Sequence, residues 1–179
     1  MLPYYKSKQF IARVDESGKV IGEIEKWEAH RKGILHRALT VAIIYRGKYV
    51  IQHRKHPAFD RVMDVTSSSH QLFINGQLQK TEDATYDCLK REWNLDRADL
   101  KNLKNLGNIY YKAKDPNSEF TEHEVCEILT VEVEKMPTTN PDFDYGSSLV
   151  TKEELENKNS EIFSKLAPWV KVMIEENKL

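Results

Sequence analysis

Phe120 to Leu129 reads FTEHEVCEIL, and these residues decide the fold. Val125, Ile128 and Leu129 mark a strand that continues through Thr130, Val131 and Val133. Side chains on a strand alternate between faces, so Glu122 and Glu124 point the same way. Two carboxylates on one face repel each other unless a cation lies between them. Alone, the segment also fits an edge strand with a solvated acidic face. The rest of the chain supplies the partners that decide between the two.

Upstream, Ala38 to Tyr45 (ALTVAIIY) is nearly all apolar and reads as a central, buried strand. Arg46-Gly47-Lys48 turns it into a second strand, Tyr49 to Arg54. Before these, Gln9 to Val14 and Lys19 to Ile24 form a hairpin about Asp15-Glu16-Ser17-Gly18. Glu25 to His30 is polar and reads as short helical or irregular chain. Lys55 to Asp64 is a loop containing Pro57, Val65 to His70 is short and polar, and Gln71 to Lys80 is a loop carrying Asn75-Gly76.

Thr81 reads as the N-cap of a helix that runs to about Trp93, with Glu82 and Asp83 at its positive end. Asn94 suits a left-handed stop. Leu100 to Tyr111 leads into a strand, and Asp115-Pro116-Asn117 turns it toward Phe120. Pro137 to Ser148 reads as loop, Thr151 to Leu166 as one helix, and Pro168 as the start of a last helix, Trp169 to Asn177. This order predicts an α/β (α+β) fold with helices packed on a central mixed sheet. No repeat or linker divides the chain, so residues 1–179 are expected to form a single domain.

The composition fits that picture. Hydrophobic residues make up 40% and charged residues 31% of the 179, as in a soluble globular protein. A net charge of −1 argues against a nucleic-acid or membrane-surface partner, which a basic excess would favour. No apolar run approaches the ~20 residues that span a bilayer, and MLPYYKSKQF lacks the apolar core of a signal peptide. Two cysteines, Cys88 and Cys126, make no disulfide framework, so a reducing cytoplasm is the expected compartment. The oligomeric state is not legible.

Three of the six histidines, His30, His36 and His70, fall near strand ends. Each alone reads as an ordinary surface or core imidazole, and none has the HExxH or CxxC spacing of a local metal site. Together with Glu122 and Glu124 they would give three nitrogens and two carboxylates. That donor set suits a divalent ion such as Zn²⁺, Mn²⁺ or Mg²⁺.

Several separated motifs carry a family resemblance. Gly22, Glu25, Lys26, His30, His36 and Ala38 match a segment of the form G-x-x-E-K-x-x-x-H followed by H-x-A. Ser68, Ser69 and His70 stand where the family has catalytic Cys, Gly and metal-binding His. Tyr111, Ala113, Asp115, Pro116, Glu122, Glu124, Val125 and Cys126 match Tyr-x-A-x-D-P … E-x-E-V-C, and Pro168-Trp169 matches its C-terminal Pro-Trp. From about Gly22 to Val172, the chain resembles the type I isopentenyl-diphosphate isomerases, which have the Nudix fold.

The resemblance implies one divalent metal on His30, His36, His70, Glu122 and Glu124. It implies that Glu124, helped by Tyr111, protonates the substrate alkene, and that Trp169 faces the developing carbocation with its ring. Lys26 and Arg54 would grip a small-molecule diphosphate, and Glu92 would hold a Mg²⁺ bridging to it.

The chain departs from the family where one of its acid/base groups should be. A thiol has a pKa of about 8.5 and exchanges a proton near neutrality. Ser68, in its place, is a far weaker acid with no basic partner evident in the sequence. The Nudix box is eroded too. With Glu92 as the second Glu of its E-E pair, Arg91 replaces the first, Asp87-Cys88 replaces Arg-Glu, and Asn94 replaces Gly. In the other register Arg91-Glu92 is the Arg-Glu pair; the first is preferred because it ends the helix at Asn94. The functions to weigh are isomerase, Nudix-type hydrolase of a nucleoside or isoprenoid diphosphate, and non-catalytic diphosphate-binding protein.

Overall fold

The computed structural model describes residues 2–179. Its helices are α1 (Pro3–Lys6), α2 (Lys26–Lys32), α3 (Thr81–Trp93), α4 (Lys152–Glu156), α5 (Glu161–Lys165) and α6 (Pro168–Glu175). The strands begin with β1 (Phe10–Val14), β2 (Val20–Glu25), β3 (His36–Tyr45), β4 (Lys48–Arg54), β5 (Met63–Val65) and β6 (Ser67–Ser69). They continue with β7 (Phe73–Ile74), β8 (Gln77–Leu78), β9 (Leu100–Lys114), β10 (Thr121–Val133) and β11 (Asp144–Val150).

Nine strands form one sheet, with β3 at its centre, bonded to β1, β4, β6 and β10. The β3–β10 ladder is parallel and every other strand pair is antiparallel, which makes the sheet mixed. Ala38 to Ile43 are all buried, because helices cover both faces of β3. On one face α3 sets Ala84, Leu89 and Trp93 against Leu39, Val41, Ile43, Leu129 and Val131. On the other, α6 sets Trp169, Val170 and Met173 among Ala38, Ala42, Ile109, Cys126 and Ile128. Each fully buried aliphatic side chain contributes about 1.5–3 kcal/mol, so these two apolar layers fix the strand register.

That register lays out the site. His36 of β3 lies opposite Glu124 of β10, and Glu124 lies opposite Tyr111 of β9. The three therefore stand in one row across three neighbouring strands. Two steps along the same face, Thr40 of β3 lies opposite Ser68 of β6.

Several elements differ from the sequence reading. Thr81 is the first helical residue of α3 and not its cap; its hydroxyl is committed to Glu127 Oε1 at 2.9 Å. Asn94 does end the helix in the left-handed region, at φ 54°. Pro137 to Ser148 is not all loop, since Asp144–Val150 pairs with β4 as a strand. Its polar, Gly- and Ser-containing sequence carries little strand signal, and the exposed edge of β4 supplies the pairing.

Thr151 to Leu166 is two helices, not one. Thr151 caps α4 through a capping box with Glu154, but Asn157 turns back to accept from Asn159 N at 3.1 Å, and Ser160 caps α5. Such local side-chain bonds compete with helix continuation. Gln71 to Lys80 contains a small hairpin, β7–β8, about Asn75-Gly76. Glu25 to His30 resolves into α2, whose N-cap is Glu25, accepting from Trp27 N at 3.0 Å and Glu28 N at 2.8 Å. The N-terminal helix α1 had no counterpart in the sequence reading.

Candidate metal centre and its pocket

His30, His36, His70, Glu122 and Glu124 meet, each offering a ligand atom within 4.8 Å of the others. The imidazole centroids form a near-equilateral triangle, at 4.8 Å for His30–His36, 5.2 Å for His30–His70 and 5.1 Å for His36–His70. His30 comes from α2, His36 from the start of β3, His70 from the residue after β6, and the two glutamates from β10.

The ring orientations are fixed from behind. His30 Nδ1 donates to Lys26 O at 2.6 Å, and His36 Nδ1 donates to Ile34 O at 2.8 Å. These bonds place the proton on Nδ1 and leave Nε2 as a lone pair aimed inward. There, His30 Nε2 faces Glu122 Oε2 at 3.0 Å, and Glu124 Oε1 faces His36 Nε2 at 3.2 Å and His70 Nε2 at 3.3 Å. Yet His30 Nε2, His36 Nε2, both nitrogens of His70 and Glu122 Oε2 are buried without a hydrogen-bond partner. Unpaired lone pairs of opposing donors at such distances need a cation between them, so the residues present fit a divalent metal.

The titration of the cluster follows from the same crowding. Burial, with the neighbouring Lys26 and histidines, keeps His70 well below the usual imidazole range and therefore neutral. Tyr111 donates a short hydrogen bond to Glu124 Oε2; burial and that carboxylate push its phenol far up.

The metal-ligand cluster forms one wall of a narrow, partly open pocket with about 20 Å³ of free space. Lys26, Arg54, Ser68, Glu92, Tyr111 and Trp169 all line it. Lys26 is buried, and burial followed by the charge of Arg91 brings its ammonium down to about 8. The Arg54 guanidinium lies 5.4 Å from the Trp169 ring centroid and 3.4 Å from Asp64 Oδ2.

Glu92 stands apart from the five ligands. Its Oε1 accepts from Arg91 at 2.8 Å, and its Oε2 accepts from Ser67 at 2.9 Å and Gln52 at 3.2 Å. Its oxygens are thus already engaged by protein donors. Neither cysteine takes the place of the thiol: burial pushes Cys88 up to about 12 and Cys126 well above its ordinary value.

Sequence reasoning missed four residues of this pocket. Tyr4 and Tyr5 of α1 roof it, with the Arg91 guanidinium 4.3 Å from the Tyr4 ring centroid and His56 edge-on to Tyr5 at 4.9 Å. Arg91 was weighed only for helix register, although its adjacency to Glu92 was visible. Asp64, behind Ser68, carried no signal in sequence.

No model of a known protein family matches the chain. Among solved structures, a protein of Deinococcus radiodurans superposes with a TM-score of 0.69 at 17% identity, covering 93% of this chain and 98% of its own. A MutT Nudix hydrolase of Burkholderia pseudomallei superposes at 0.57 and 15% identity, covering 79% of this chain and 96% of its own. These likenesses show the Nudix fold. In sequence, the chain is 28% identical to an isopentenyl-diphosphate Delta-isomerase of Rhodobacter capsulatus, over 89% of this chain and 88% of that protein. It is 30% identical to isopentenyl-diphosphate Delta-isomerase 1 of Bos taurus, over 90% of this chain and 79% of that protein. With that identity across nine-tenths of its length, the chain belongs to the isopentenyl-diphosphate isomerase family.

Proposed function

We propose that the protein interconverts isopentenyl and dimethylallyl diphosphate in a metal-dependent reaction. The observation that carries this reading is the row His36–Glu124–Tyr111, which joins a metal-ligand cluster to a buried carboxylate–phenol pair inside one pocket. The two molecules differ by a proton added to the terminal alkene carbon and a proton removed from the carbon on the other side of the double bond. The reaction needs two proton-handling groups and a place for a transient positive charge.

Glu124, paired with Tyr111, is the group for addition. Trp169, which lines the same pocket, is the aromatic for the developing charge, a role in which an indole is the most effective ring. Lys26 and Arg54, joined by Arg91, are the cations that grip the diphosphate. Ser68 is the candidate for removal. A divalent ion on the five ligands would fix the orientation of Glu124 and supply Lewis-acid character. Glu92 serves a diphosphate-bound Mg²⁺ only by exchanging its contact with Arg91. The protein is read as acting on a small molecule, with no nucleic-acid partner.

The hydrolase alternative is less well supported, because among the described residues Glu92 is the only carboxylate of α3 that lines the pocket. Glu82 accepts from Tyr86, Asp83 pairs with Arg97, and Asp87 accepts from Gln79, all on the outer surface. A helix so arranged lacks the inward carboxylates that assemble several Mg²⁺ ions.

The test is incubation of the purified protein with isopentenyl diphosphate, Mg²⁺ and either Mn²⁺ or Zn²⁺, followed by detection of acid-labile allylic diphosphate. Turnover is expected, with kcat falling by roughly 10²–10⁴ in Glu124→Gln, as for loss of a general acid. Release of inorganic phosphate instead would identify a hydrolase, and tight binding without product would identify a non-catalytic binder.

A further inference from the structure

Asp64 is fully buried on β5, at 0% exposure, and lies outside the metal cluster. Its Oδ1 accepts from Trp169 Nε1 at 2.8 Å and Val65 N at 2.8 Å. Its Oδ2 accepts from Ser68 Oγ at 2.9 Å and Arg54 Nη1 at 3.4 Å. A carboxylate is costly to bury, and this one is anchored on all sides next to the hydroxyl that occupies the thiol position.

The direction of the neighbouring protons follows by elimination. Ser68 has one proton, and it goes to Asp64. The Thr40 hydroxyl, 2.8 Å from Ser68 Oγ, must then donate to Ser68, which leaves Thr40 to accept from Cys126 Sγ at 3.4 Å. The chain Cys126–Thr40–Ser68 is thus ordered toward Asp64. It leaves Ser68, which lines the pocket, one lone pair not engaged by the protein.

We propose that Asp64 is the positioning residue that lets Ser68 act as the second proton-handling group, by taking the serine proton as Ser68 takes one from the substrate. The inference rests on the isomerase reading above. In the step, the C–H bond next to the cationic carbon breaks and its electron pair becomes the new C=C bond. The proton forms a bond to Ser68 Oγ, while the original Ser68 proton passes to Asp64 Oδ2. Ser68 is neutral before and after. The reverse reaction runs the same transfer backward, and Asp64 is reset by returning its proton through Ser68 to pocket water. Adjacent carboxylates and bases activate hydroxyls in this manner elsewhere. Burial raises the proton affinity of Asp64 more than Arg54, Trp169 and Ser68 lower it, which suits an acceptor.

The experiment compares kcat and KM for isopentenyl diphosphate, with Mg²⁺ and Mn²⁺ present, in the intact chain and in D64N, S68A, S68C and the S68C/D64N double variant. D64N keeps the shape and removes the basicity. It is expected to lower kcat by about 10²–10⁴ with KM changed only a few-fold. In S68C/D64N a thiol, acidic enough to ionise without help, is expected to restore kcat toward the S68C level; a merely structural role for Asp64 predicts no such rescue. Unchanged kcat in D64N, or a folded S68C/D64N variant no more active than D64N, overturns the inference while leaving the isomerase reading intact. If D64N does not fold, S68A decides, because it keeps Asp64 and its bonds to Trp169 and Val65. A loss of at least 100-fold supports the inference and an unchanged kcat overturns it. No turnover by the intact chain removes the isomerase reading, and this inference with it.

Discussion

Asp115 accepts three hydrogen bonds on one carboxylate: from Phe59 N at 2.8 Å, Ser118 Oγ at 2.5 Å and Asn117 N at 3.0 Å. It thereby ties the β9–β10 turn to the loop that precedes β5. Burial opposes its charge, but Ser118, Asn117 and Phe59 win and hold the carboxyl below its ordinary range. For a group depressed in the fold, the stabilisation is present above the unfolded pKa of about 3.9 and is lost as pH falls through the folded value. Asp115→Asn should therefore cost about 1–3 kcal/mol at neutral pH and flatten the acid side of the stability–pH curve. Urea denaturation of both proteins from neutral pH down to about pH 3 checks this, since the gap must close at the acid end. The five clustered side chains were legible as a set, from three imidazoles near strand ends and two carboxylates on one strand, although no imidazole was specific alone. Asp64 was not, because an acidic residue after Met63 reads as the end of a loop until Ser68, Trp169 and Arg54 are seen around it.

At the level of the element, α2 is short and carries both Lys26 and His30, so its ends control the site. Gly33 closes it in the left-handed region, at φ 60° and ψ 38°. A Cβ there would sit 3.4 Å from Thr121 Cγ2 as well. Gly33→Ala should cost roughly 1–2 kcal/mol, which for a chain of this size lowers Tm by about 2–8 °C. It should also weaken metal binding, because His30 lies in the last turn. A thermal melt and a Mn²⁺ titration measure the two effects separately. β3 and β10 were legible as strands because their apolar residues are dense and strongly periodic. β11 and the break between α4 and α5 were not. One depends on the edge of a strand far away in sequence, and the other on Asn157 and Ser160 choosing local bonds over the helix.

For the molecule as a whole, the candidate metal centre draws on α2, β3, the end of β6 and β10 at once. An ion that binds only the folded state should stabilise it by about 2.7 kcal/mol at a hundred times its Kd. Calorimetry is expected to show Tm rising with Mn²⁺ or Zn²⁺ and falling back with a chelator, and loss of this response in the doubly substituted His36→Ala/Glu122→Gln protein. A Tm indifferent to divalent ions would remove the metal centre. Among the described residues, no helix is long and apolar enough to cross a membrane.

β10 joins β3 in parallel, so the pair cannot zip up from a tight turn between them. β10 docks only after the intervening chain, α3 included, has been laid down and has paid its loop-closure entropy. The full socket therefore exists only where that crossover is in place, and a chain without it offers a passing cation only scattered imidazoles. Only a frame already standing holds all five donors close enough for one bolt.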